Sequence, residues 1–172
     1  SEPMPRDSFG RDINYLRLSL IDHCNLRCVY CMPLRGLHFT PSEELLTAQE
    51  LETVARAAAS VGLNKIRLTG GEPTLRADLL DIVERIHAVE GITDLGITPT
   101  GVLLKDLAAP LHRAGLRRIN IHIDTLNPDR LRHVMRFGYF EPMWEGIEAA
   151  QTAGFRPIKL NVVVVRDYNE HD

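Results

Sequence analysis

Three cysteines, Cys24, Cys28 and Cys31, fall inside the stretch DHCNLRCVYCMP, and the chain has no others. Three thiols scattered at random would share one eight-residue window in under about one case in a hundred, so the cluster reads as a ligand set. An odd count cannot close into paired disulfides, whereas thiolates are soft donors that suit zinc or an iron–sulfur cluster. A structural zinc site needs four ligands, and the supplements near the cysteines are His23 and His38. A cubane cluster held by only three thiolates instead keeps one iron open to a non-protein ligand. The third reading is an unmetallated group of thiols, but the polar Asn25 and Arg27 and the aromatic Tyr30 are interleaved with the sulfurs, unlike an apolar burial site.

A second stretch with chemical potential is TGGEP, Thr69 to Pro73. Paired glycines let backbone come close to a ligand, and the exposed N–H, C=O and carboxylate groups of such a turn can receive an ammonium. The plain alternative is a strand exit with no further role. A third feature is a set of cations, Arg17, Arg67 and Lys159, each placed on the polar side of a strand.

The elements that must position these groups follow a strand-then-helix rhythm. Strands are expected at YLRLSLI (15–21), KIRL (65–68), DLGIT (94–98), RINIHI (118–123) and IKLNVVVV (158–165). A capping box from Thr47 to Glu50 opens a helix with Leu51, Val54, Ala55, Ala58 and Val61 on one face, and Gly62 stops it. A second helix carries Leu79, Ile82, Val83 and Ile86 and ends at Gly91. A third runs over LLKDLAAPLHRAG with Pro110 as an irregularity, and Asn127–Pro128 starts another. Strands joined by helices should be parallel with right-handed crossovers.

Alternation within the strands separates two faces. Leu16, Leu18 and Leu20 oppose Arg17 and Ser19, and Ile66 and Leu68 oppose Lys65 and Arg67. Ile119, Ile121 and Ile123 oppose Asn120 and His122, while Ile158, Leu160, Val162 and Val164 oppose Lys159 and Asn161. A doubly covered sheet or a packed barrel would be apolar on both sides. The pattern therefore predicts an α/β fold, a parallel-stranded partial TIM-type (β/α) barrel of about five strands, with helices outside and a polar concave face inside. Cations on that face are costly unless a bound anion or neighbouring Asp and Glu side chains compensate them. Both loops with chemical potential leave the carboxyl ends of strands, where parallel α/β folds place their sites.

One domain over residues 1–172, with a polar arm at 1–13, accommodates this pattern, and 44% hydrophobic residues suffice for a packed core. The net charge of -3 combines 20 basic and 23 acidic residues without a basic run, which argues against a nucleic-acid partner. No apolar run reaches the ~20 residues that span a bilayer, and the first residues lack a secretory apolar region, so no membrane partner and a cytoplasmic location are expected. The apolar run VVVV at 162–165 would be an exposed edge, so the barrel is expected to be incomplete on its carboxyl side.

The pattern CxxxCxxC, with Tyr30 just before the last cysteine, resembles the signature of the radical S-adenosylmethionine (SAM) enzymes. That resemblance implies a [4Fe-4S] cluster on Cys24, Cys28 and Cys31, with SAM on the fourth iron, and SAM contacts from Tyr30 and from Gly71 in TGGEP. From FGRDINYLRLSLIDHCNLRCVYCMP through KIRLTGGEPTLRADL and AGLRRINIHIDTLNPDR to IKLNVVVVRDYNEHD, the chain is similar to the amino-terminal part of the GTP 3′,8-cyclases of molybdenum cofactor biosynthesis. In that family a 5′-deoxyadenosyl radical takes the ribose 3′ hydrogen of GTP and the resulting radical closes onto guanine C8. By matching motifs, Arg17, Arg67, Thr98 and Lys159 are implied GTP contacts. A triphosphate would supply the anion that the concave face requires, with Arg offering paired donors and Lys a point charge.

The chain departs from the family in three ways. TPTG (98–101) stands where the family usually has TTNG, which places Pro99 where a backbone donor is usual. His122 replaces a serine that contacts SAM, so His122 is a SAM-binding position with altered chemistry; an inward, hydrogen-bonded histidine is the alternative. The family's second three-cysteine cluster is not encoded in these residues, and the chain alone is expected to fall short of a full turnover. Expected partners are GTP, an electron donor and a second copy in a homodimer. The competing functions are another radical SAM enzyme, such as a peptide-modifying maturase, and a non-catalytic zinc or scaffold domain.

Overall fold

A computed structural model describes residues 15–21, 45–123 and 140–162. Its elements in chain order are β1 (Tyr15–Ser19), α1 (Ala48–Ser60), β2 (Lys65–Thr69), a 3-10 turn (Pro73–Leu75), α2 (Leu79–His87), β3 (Asp94–Ile97), α3 (Leu104–Ala114), β4 (Arg118–Ile123), α4 (Phe140–Ala153) and β5 (Ile158–Val162). The strands lie side by side in the order β1-β2-β3-β4-β5, and every neighbouring pair is parallel. That order arises when each crossover advances one strand in the same direction, which is how a (β/α) barrel wraps. The expected partial TIM-type barrel is what the described residues form.

Local sequence accounts for most element ends. At the start of α1 the Thr47 hydroxyl accepts from the Glu50 N–H and the Glu50 carboxylate accepts from the Thr47 N–H, both at 3.1 Å. This reciprocal pair satisfies two of the donors that a helix start leaves open. Leu51, Ala55 and Ala58 turn into the core, but Val61 is 46% exposed, contrary to the sequence expectation. The helix has ended at Ser60, so Val61 caps it and no longer follows the buried stripe. In α2, Leu79, Ile82, Val83 and Ile86 are all buried as expected. It stops at His87 and not at Gly91, because Val89 and Ile92 turn back into the core before β3 begins. Pro110 sits within α3, which is continuous from Leu104 to Ala114.

The helices cover the apolar face of the sheet. Ile66, Leu68, Ile97, Ile119 and Ile121 are buried there, together with Leu104, Ala108 and Leu111 of α3 and Met143, Ile147 and Ala150 of α4. Phe155 follows α4 into the same core and meets the His112 ring edge-on, with centroids 5.0 Å apart. Regular pairing in β1 stops at Ser19, two residues earlier than the sequence suggested, although Leu20 still donates to the Thr69 carbonyl at 2.9 Å. Thr98 likewise lies just past β3 but keeps a bond from its N–H to the Leu68 carbonyl at 3.0 Å. On β5, Leu160 is 45% exposed. The start of a helix at Asn127–Pro128 and the run beyond Val162 lie outside the described residues.

Candidate functional site

Strand register lines up the polar side of the sheet. Arg17 of β1 is opposite Arg67 of β2, Arg67 is opposite Gly96 of β3, and Gly96 is opposite Arg118 of β4. One step toward the carboxyl ends, Ser19 is opposite Thr69, and Asn120 is opposite Lys159 of β5. Since side chains two apart share a face, these residues face the concave side together. A cavity of about 440 Å³ opens there, lined by Arg17, Arg67, Thr98 and Lys159 with Tyr15 and Asn120 beside them. All four residues expected to contact substrate thus line one space.

The cations of this cavity are not equivalent. Arg17 and Lys159 have no ion-pair partner among the described residues. Arg67 does have one: its Nη1 and Nη2 reach the two Asp94 oxygens at 3.3 and 3.4 Å. Arg118 binds the same carboxylate through Nε. For Arg67, then, the internal counter-ion considered as the alternative to a ligand is present. Asp94 and Arg118 were missed in the sequence, although alternation puts Asp94 and Gly96 on the polar face of DLGIT and Arg118 on that of RINIHI.

At the carboxyl edge the TGGEP turn folds onto the exit of β1. Gly70 has φ 142, and a Cβ there would land on the Ile21 carbonyl oxygen, so only glycine permits this approach. The N–H of Gly71 donates to the Ile21 carbonyl at 2.8 Å, while the residue itself remains exposed. The sequence also offered the turn's carboxylate as an exposed receptor for an ammonium. The structure corrects this: Glu72 is 0% exposed. It accepts from the N–H and hydroxyl of Thr74 at 3.2 and 2.5 Å, from the N–H of Thr100 at 3.0 Å, and from the Thr100 hydroxyl. Glu72 therefore pins the loop after β2 to the loop after β3.

The segment carrying Cys24, Cys28, Cys31 and Tyr30 lies outside the described residues, but both of its approaches are held. Arg76 donates from Nη1 to the Leu20 carbonyl at 2.7 Å and from Nη2 to the Leu46 carbonyl at 2.6 Å. Its Nε engages Asp78 at 2.7 Å. Sequence reasoning gave no sign of this clamp, because Arg76 is distant in sequence from both carbonyls. Among the described residues no group of three or more His, Cys, Asp or Glu could hold a metal. In the sequence, the cysteine trio is the soft donor set. Its chemistry fits an iron–sulfur cluster with one open iron.

His122 lies on the concave side of β4, opposite Asn161, and outside the cavity lining. Burial pushes its imidazole below the ordinary histidine range. Its backbone N–H donates to the Pro99 carbonyl at 3.2 Å, so the proline in TPTG still contributes an acceptor where it lacks a donor.

A parallel (β/α) half-barrel with a cationic concave cavity and a Gly-Gly turn at its carboxyl edge, in a chain whose sequence also carries three clustered cysteines, defines an α/β barrel domain. Comparison with known proteins agrees: the Radical SAM superfamily model matches residues 18–172. The chain belongs to the radical SAM superfamily, whose members use a [4Fe-4S] cluster and SAM. It is 48% identical over 167 residues to the GTP 3′,8-cyclase of Pelotomaculum thermopropionicum, covering 97% of this chain and 51% of that protein. It is 47% identical to molybdenum cofactor biosynthesis protein 1 of Mus musculus, over 96% of this chain and 26% of that one. The chain thus spans about half the length of the bacterial relatives. Among solved structures, HydG, a maturase of the [FeFe]-hydrogenase, superposes with TM-score 0.71 at 14% identity, over 87% of this chain and 35% of that one. Methylornithine synthase gives 0.66 at 16%, over 82% and 42%. These likenesses establish the fold alone. No helix among the described residues is long and apolar enough to cross a membrane.

Proposed function

We propose that the protein is a GTP 3′,8-cyclase, with GTP in the concave cavity and the cofactor at the carboxyl edge of the strands. The observation that carries this reading is the meeting of Arg17, Arg67, Thr98 and Lys159 in one cavity of about 440 Å³. Its volume falls within the range of small-molecule sites. The relatives' name supplies the nucleotide, and the cationic lining supplies a physical reason for it: a triphosphate matches two guanidinia and an ammonium better than an uncharged substrate would.

In this reading Cys24, Cys28 and Cys31 would hold a [4Fe-4S] cluster as thiolates and leave one iron open to SAM. When bound, the cluster and SAM would supply the radical chemistry that hydrogen abstraction from GTP requires. The chain's own residues place the reactants. Gly71 and Tyr30 contact SAM, with Gly71 held against Ile21 by its N–H, and His122 faces the same end of the sheet. Arg17, Arg67 and Lys159 hold phosphate oxygens, and Thr98 offers a hydroxyl between them and the carboxyl edge. Location in the cytoplasm, where thiols stay reduced, is part of the same proposal. GTP titration of the anaerobically reconstituted protein tests it. Arg67→Ala should weaken GTP binding without changing iron content; unchanged GTP affinity would remove Arg67 from the site, and a colourless protein with one zinc would remove the cluster.

A further inference from the structure

Beneath Arg67, one carboxylate serves two cations unequally. Arg118 Nε lies 2.9 Å from Asp94 Oδ2 and 3.0 Å from Oδ1, whereas both Arg67 contacts with Asp94 exceed 3.2 Å at 3.3 and 3.4 Å. The lengths of the Arg67 contacts put them past the usual range of a charge-assisted bond, and those of Arg118 are near it. Gly96 makes the arrangement possible. A Cβ at that position would stand 3.0 Å from Arg67 Nη1 and 3.2 Å from Arg118 Cβ, so the bare backbone of β3 is the space over which both arginines reach Asp94. Asp94 is 11% exposed at its side chain and Arg67 20%, while Arg118 is 42% exposed and does not line the cavity.

We infer that Arg118 is a positioning residue for the nucleotide phosphates, acting through Asp94 on Arg67. The inference rests on the GTP reading and says what frees Arg67 for the phosphate oxygens. If Asp94 faced Arg67 alone, the two would form a neutral forked pair, and an incoming phosphate would have to break it. Because Arg118 makes the closer contacts, the Asp94 charge stays compensated when Arg67 turns to a phosphate oxygen. The three side chains together carry one net positive charge, and the exchange leaves no buried carboxylate unpaired. A residue outside the cavity thereby sets the availability of a cation inside it.

A double-mutant cycle on the intact, reconstituted protein tests this, with GTP and guanosine as the probes and thermal melting as the check on folding. Arg118→Ala should weaken GTP binding about fivefold, and Arg118→Gln should do the same if the alanine variant melts early. In an Asp94→Asn background, where no charge competes for Arg67, the same change should cost less than about twofold. Guanosine, which has no phosphate, should bind all variants alike. An equal loss with and without the Asp94 charge would mean that Arg118 acts on the ligand directly, and no loss in the native background would mean that Asp94 does not compete; either overturns the inference. Arg67→Ala separates the two levels of the argument. If it leaves GTP affinity unchanged, the GTP reading fails and the inference with it; if it weakens GTP binding while the cycle shows no coupling, the inference alone fails.

Discussion

Replacing Glu72 by Gln should destabilise the domain by about 3 kcal/mol while leaving it folded. The side chain is fully buried and its two oxygens divide the work: Oε1 receives the N–H and hydroxyl of Thr74, and Oε2 receives the N–H and hydroxyl of Thr100. Gln keeps the shape but turns one oxygen into an NH2 group. A threonine hydroxyl at that end can rotate and accept from it, but a backbone N–H cannot. One buried N–H is then left without its acceptor, at roughly 1–3 kcal/mol, and the surviving bonds lose their charge assistance, at about 1 kcal/mol more. Against a total stability of about 5–15 kcal/mol, the variant remains mostly native in water. Urea unfolding measures this as a lower midpoint with an unchanged slope. Thr100→Val, which removes only the hydroxyl, should cost about 1 kcal/mol, so the ratio of the two is itself a check. A Glu72→Gln variant within about 0.5 kcal/mol of the native protein would show that this carboxylate does not tie the two loops, and the account of the carboxyl edge would be wrong.

Gly70→Ala should be harsher in its effect on the site than on the core: the added Cβ meets the Ile21 carbonyl oxygen at φ 142, and about 1–3 kcal/mol of backbone strain is joined by displacement of the β1 exit, read as lower stability in urea and lower iron content after reconstitution. Cys28→Ser should abolish the iron–sulfur absorption with the far-ultraviolet circular dichroism nearly unchanged, because the described helices draw their packing from residues elsewhere. His122 should make stability fall as the solution is acidified. Burial lowers its folded-state value below the unfolded one, so its contribution is present above about pH 6.5 and lost as pH falls from there through the lowered value. His122→Asn should flatten that part of the pH–stability curve, which unfolding titrations at several pH values will show.

Much of the sheet was legible because a strand's period of two is written directly into its residues. RINIHI and KIRL each alternate apolar and polar positions, and the structure buries Ile66, Leu68, Ile119 and Ile121 while turning Arg67 and Asn120 to the cavity. The capping box at Thr47 and Glu50 was legible for a similar reason, since both partners lie within one turn. What alternation cannot give is register. It says that Arg67, Asp94 and Arg118 share a face, but whether they touch depends on how three strands slide past one another. The ion pairs bridge 27 and 24 positions of sequence. The role of Glu72 was hidden in the same way. Its chain position suggests an exposed turn carboxylate, and only the approach of Thr100 from the next loop makes it an internal one. Val61 shows the complementary failure, where a helical stripe was extended one residue past the end of its helix.

The proposal that this cavity holds GTP beside the cofactor is tested most directly by isotope transfer. The reconstituted protein, given SAM, dithionite and GTP deuterated at the ribose 3′ carbon, should release 5′-deoxyadenosine that carries the deuterium, and Arg67→Ala should lower its yield. Deuterium-free 5′-deoxyadenosine formed at the same rate with and without GTP would contradict the account.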